Sequence, residues 1–195
     1  MSGLTTIMDA LTGRTARVDE DNRLKVNASA QPRAVDEALA GGAFIITTGS
    51  LNLTSDSMSH VLYAKNNEDV SWVINAISMS VGATDGAGDS LVQFTIGAVG
   101  GTLLTAGTDM TPINLNLGES KQLTVTAKKG AEGSSVSGGL AAAPTLVPSG
   151  TIARDFPAKP IILAPGSSLA VGFQPPTGST SMNIQFQLPI YRSDS

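Results

Sequence analysis

Residues 161–191 read IILAPGSSLAVGFQPPTGSTSMNIQFQLPIY, and their pattern decides the fold class. Pro165-Gly166 punctuates the run, and Ser168 to Phe173 follows as a strand. Pro175-Pro176-Thr177-Gly178 turns the chain, and Ser181 to Tyr191 returns, so the stretch reads as a hairpin. In the return strand Met182, Ile184, Phe186, Leu188 and Ile190 point one way, against Asn183, Gln185 and Gln187 on the other. A period of two marks a strand with one buried and one wet face. A lone hairpin is marginal in water, so the remaining chain must supply the sheet it joins and a second sheet to cover it.

Working outward, the signal is β from Ala43 onward. Ala43–Thr48, Leu51–Thr54, Met58–Lys65, Leu91–Ile96, Pro112–Leu117, Lys121–Lys128, Thr151–Phe156 and Pro160–Leu163 all read as short strands. Thr102–Thr105 reads as another after the bend at Gly100-Gly101. Val70–Met79 is the longest, apolar on both faces near its middle, as expected of a central strand with Trp72 in the core. Gly130–Gly150, rich in Gly, Ser, Ala and Pro, predicts a long exposed loop. About ten short strands separated by Gly, Pro, Asn and Asp turns argue for an all-β antiparallel sandwich. A parallel α/β fold and a repeat solenoid do not fit this spacing.

Residues 1–40 differ. Leu4, Ile7, Met8 and Leu11 stand at helical spacing, closed by Gly13. Leu24-Lys25-Val26 is strand-like, and Pro32 opens a brief helical pattern closed by Gly41-Gly42. The expectation is an extended N-terminal arm (1–40) with short helical pieces, ahead of a β domain (41–195). A helix this short needs a surface to bury its apolar side chains. Leu4, Ile7, Met8, Leu11, Leu24 and Val26 are therefore the expected docking residues.

Composition narrows the function. The 195 residues are 41% hydrophobic but only 14% charged, against about 25% charged in an average domain. The polar surface is then mostly Ser, Thr, Asn, Gln and Gly, which favours close protein contact. The net charge is −4 with no basic cluster beyond Lys128-Lys129, which argues against nucleic acid as a partner. No cysteine is present, so neither disulfides nor cysteine-ligated zinc enter. No apolar run is long enough to span a membrane, and MSGLTTIMDALTGR does not have the layout of a secretory signal.

Motifs for chemistry are sparse. His60, the single histidine, falls in phase with Met58 and Leu62 and reads as a packed or edge residue. Gly166-Ser167-Ser168 opens a strand rather than a helix, so it is no nucleophile elbow. GAVGG at 97–101 is a bend, not a phosphate loop. Asp85-Gly-Ala-Gly-Asp89 has oxygen donors compatible with calcium but also the composition of an ordinary turn, the preferred reading. No pair of carboxylates is spaced for glycoside chemistry. The expectation is a protein without catalytic residues, cofactor or metal.

Several segments in order resemble the small trimeric jelly-roll virion proteins of tailed bacteriophages, the capsid-decoration and head-fibre type. They are LYAKNNE at 62–68, GGTLL at 100–104, NLNLG at 114–118, LAPGSSLA at 163–170 and PPTGSTSM at 175–182. VDEDNRLKV at 18–26 resembles lead-in segments of phage structural proteins. The resemblance covers the β region and implies a non-enzymatic homotrimer on the virion, assembled in the host cytoplasm. Its partners would be the major capsid protein or other virion subunits. A tail, baseplate or fibre position, or a glycan-binding adhesion module, is the alternative; the absence of aromatic residues in Gly130–Gly150 weighs against the glycan reading.

Overall fold

The computed structural model describes residues 40–148 and 160–193, together with the backbone of strands at 6–8, 15–18, 24–25 and 153–156. The chain divides into two compact units, Met1–Arg33 and Ala34–Ser195. In the first, β1 (Thr6–Met8) pairs antiparallel with β2 (Thr15–Val18), which pairs with β3 (Leu24–Lys25). The helix expected over Leu4–Leu11 is thus corrected where the backbone is described: Ile7 and Met8 lie in a strand. The β-branched run Thr5-Thr6-Ile7 restricts χ1 and suits a pleated surface better than a helical turn. Leu24 is in a strand as expected. Leu4, Leu11, Val26 and the helical pattern after Pro32 lie outside the described residues.

The second unit is an antiparallel sandwich. One sheet has seven strands. They are β6 (Ser59–Asn66), β9 (Ser90–Ile96), β10 (Thr108–Asp109), β12 (Val125–Lys129), β13 (Leu140–Ala141), β14 (Thr145–Val147) and β17 (Ser168–Gln174). The other has eight: β4 (Ala43–Thr47), β5 (Leu51–Leu53), β7 (Trp72–Ile74), β8 (Ile77–Thr84), β11 (Ile113–Asn114), β15 (Ala153–Phe156), β16 (Ile161–Leu163) and β18 (Met182–Arg192). Alternate residues of both sheets meet in one core, among them Phe44, Ile46, Leu62, Trp72, Val171, Phe173, Phe186 and Leu188. Phe173 and Phe186 meet edge to face across it, with ring centroids 6.2 Å apart. That geometry contributes about 0.5–1.5 kcal/mol beyond the buried area.

Four sequence expectations change. β17 and β18 do not form a hairpin. β17 pairs with β6 and β9, whereas β18 pairs with β4, β5, β7 and β8 in the opposite sheet. The Pro175–Ser181 turn carries the chain across the sandwich instead. Val70–Met79 is two strands, β7 and β8, interrupted at Asn75-Ala76. The strand buried on both faces is β17, with only Gln174 partly exposed. Thr102–Ala106 is not a strand but the one helix of the described residues, α1. Gly101, at φ 110°, makes the turn into it, and Leu103 is fully buried beside Tyr63, Ala98 and Ala170. Within Gly130–Gly150, β13 and β14 pair with β9, so the expected loop is partly ladder.

Candidate functional site

The outward face of the eight-stranded sheet is built by simple parity. Phe44, Ile46, Trp72, Ile74, Leu188 and Ile190 are in the core, so their sequence neighbours point away from it. The register then sets a row across four strands: Ile162 opposite Val73, Val73 beside Tyr191, Tyr191 beside Ala43. Leu115 extends it, its N–H donating to the Ala43 carbonyl at 2.9 Å. A second row joins Pro189, Ile45 and Ile113. Ile162 is 70% exposed, Ile113 50% and Leu115 43%, whereas Ala43, between Tyr191 and Leu115, is fully buried. With strands about 4.8 Å apart, such a row spans about 19 Å.

Toward the other end the same face turns polar. Gln187, Gln185 and Asn183 of β18 stand with Thr47, Ser78, Ser80 and Asn52. None of these seven residues is charged, and Asp155 of β15 stands opposite Ser78 in the same register row. An apolar stripe continued by neutral amides and hydroxyls is the chemistry of a contact surface with an apolar centre and a polar rim.

Sequence reasoning missed this stripe. Its signal was present in Ala43-Phe44-Ile45-Ile46 and Leu188-Pro189-Ile190-Tyr191, where the period of two fails because both faces are apolar. The docking residues expected in residues 1–40 belong to a different compact unit: Ile7 and Met8 in β1, Leu24 in β3.

The remaining candidates have structural work to do. The Asp85 carboxylate takes the Thr180 N–H at 2.9 Å and the Thr180 hydroxyl, with Ser181 N–H at 3.4 Å. The Thr180 bonds hold its pKa down at about 2. The carboxylate therefore clamps the turn that crosses between the sheets. His60 is half-buried, and its pKa is lowered by desolvation, with a hydrogen bond to the Ser134 backbone acting in the opposite sense. No group of three or more His, Cys, Asp or Glu side chains converges as a metal site among the described residues.

No protein-family model matches the chain, and no curated protein matches it. Fold and surface define an antiparallel β-sandwich with an apolar stripe on the outer face of one sheet.

Proposed function

We propose that this chain is a non-enzymatic virion structural protein, a capsid-decoration protein of the trimeric jelly-roll type. Its β domain associates with further copies of itself through the outward face of the eight-stranded sheet. The observation that carries the reading is the uncharged apolar stripe from Ile162 to Leu115. Identical chains each bring a net charge of −4, so copies meet most easily along a stripe that carries no charge. An exposed Ile such as Ile162 contributes at most about 1.5–3 kcal/mol when fully buried. The resemblance supplies the number three and the virion setting. The first compact unit, with Ile7, Met8 and Leu24, is the part that attaches to the major capsid protein or another virion subunit.

Light scattering on the full chain tests the association. The expected result is a homotrimer that Ile162→Asp with Leu115→Asp reduces to monomer without loss of the β-sheet circular dichroism. A monomer at all concentrations, or a trimer indifferent to both substitutions, overturns it. The virion setting is tested by mass spectrometry of virus particles from the encoding host, where the chain should appear in stoichiometric amount.

A further inference from the structure

The opposite sheet carries a feature that self-association does not use. On its outward face a hollow of about 350 Å³ opens between the sheet and the segment leading into α1. Its floor is a grid set by the register. Thr126, Lys65 and Ser168 form one row, and Lys128, Tyr63 and Ala170 the next. Lys65 and Lys128 are therefore diagonal neighbours, with attachment points about 7–8 Å apart. Two flexible four-carbon side chains on that spacing reach a common point. Val99 and Leu104 form the apolar wall.

The charges at this hollow are not balanced. Lys128 pairs at 2.7 Å with Asp109, whose carboxylate is 84% exposed. Among the described residues no acid pairs with Lys65, and the Tyr63 phenol has no hydrogen-bond partner. The site thus offers one free ammonium, one half-neutralised ammonium, a phenol and the Thr126 hydroxyl beside an apolar wall. Such a set suits a small organic anion with a hydroxylated body and a C–H face. The backbone speaks against phosphate. The N–H groups of Gly97, Val99, Gly100 and Gly166 are each donated to carbonyls of the protein. No nest of free N–H groups, the usual cradle for a phosphate dianion, is left from these residues.

We propose that this hollow binds a sugar acid, its carboxylate between Lys65 and Lys128 and its ring against Val99 and Leu104. The acid can be a free monosaccharide or the acidic residue of a surface polysaccharide. The site lies on the sheet opposite the proposed contact face and does not depend on it.

Calorimetric titration of the full chain with glucuronate, N-acetylneuraminate, glucose and glucose 6-phosphate tests the assignment. One of the two carboxylates should bind at least about tenfold more tightly than glucose, the worth of one charged hydrogen bond. Lys65→Met should cost about tenfold, while Asp109→Asn, which releases Lys128, should tighten binding about threefold. Leu104→Trp should fill the hollow and remove binding, and Ile162→Asp should leave it unaltered. A free acid that binds alone, against an acidic oligosaccharide that binds more tightly, separates the two sources. No heat with either carboxylate, equal affinity for glucose, indifference to Lys65→Met, or tighter binding of glucose 6-phosphate overturns the proposal.

Discussion

Glu68 lies 3.1 Å from the Arg192 Nε through its Oε2, and the same oxygen takes the Trp72 indole N–H at 3.0 Å. Its other oxygen accepts the Thr124 N–H at 3.2 Å. Arg192 ends β18 and Trp72 begins β7, both in the eight-stranded sheet, whereas Thr124 leads into β12 of the seven-stranded one. One carboxylate therefore ties the two sheets together at one end of the sandwich. Asn66, fully buried next to it, holds the same turn: its amide donates to the Val70 and Leu163 carbonyls, and its Oδ1 accepts the Glu68 N–H. Glu68→Ala leaves the indole N–H without this acceptor and a partly buried guanidinium without this counter-ion. The expected loss is about 1.5–3 kcal/mol in urea unfolding, the range for hydrogen bonds to a charged group. Glu68→Gln, which keeps an acceptor but not the charge, should lose less. A midpoint unchanged by Glu68→Ala would show that the carboxylate does not tie the sheets.

The alternation from Met182 to Ile190 was legible because it depends only on burial, and each of those five side chains is in the core. The partner of that strand was not legible. A period of two says which face is dry, and the strand before it, Ser168 to Phe173, faces the same core from the opposite sheet. A hairpin and a crossover between sheets therefore write the same pattern. What distinguishes them here is tertiary: Asp56 accepts the Gly178 N–H at 3.0 Å, and Asp85 holds Thr180. α1 was hidden for a similar reason. Its five residues hold a helical turn because Leu103 inserts beside Tyr63 and Ser135 bonds Thr102, and local propensity does not report such contacts. The apolar stripe spans four strands and the residue after a fifth, so only the register assembles it.

Asp85 gives a pH prediction. Its native pKa, about 2, lies below the ordinary 3.8. A depressed carboxylate contributes stability that is present above the unfolded value and lost as pH falls through the native one. Thermal midpoints should therefore decline between pH 4 and pH 2, and Asp85→Asn should flatten part of that decline. If the wild type and the variant keep the same slope over that window, the clamp at Thr180 contributes nothing to stability.

His60 acts in a milder pH range. Burial lowers its pKa from 6.5, so the folded protein binds fewer protons there than the unfolded chain. With that sign stability rises with pH, and protonation below pH 6.5 opposes folding. His60→Gln, which cannot ionise, should remove the dependence between pH 6.5 and the lowered native value. Urea midpoints measured at pH 7.5 and 5.5 check this: the wild type should lose stability between them, and the variant should lose less.

Gly130 ends the β12 ladder, its N–H donating to the Val61 carbonyl at 3.0 Å. This is where β6 slips register against β17, between the Val171–Leu62 and Gly172–His60 pairs. A Cβ at Gly130 would run into the His60 carbonyl, and the Leu103 Cδ1 would lie 3.1 Å from it. Backbone cannot give way as a side-chain tip can, so Gly130→Ala has to displace β6 or β12. The cost should be about 2–3 kcal/mol, in the range of overpacking a dense interior. At Gly172 the obstacles to a Cβ are the Met58 Sδ at 2.9 Å and the His60 ring at 3.3 Å, both side chains. Gly172→Ala should therefore cost clearly less than Gly130→Ala in the same urea titration. The reverse order would mean that the Met58 and His60 side chains are held more rigidly than the ladder itself.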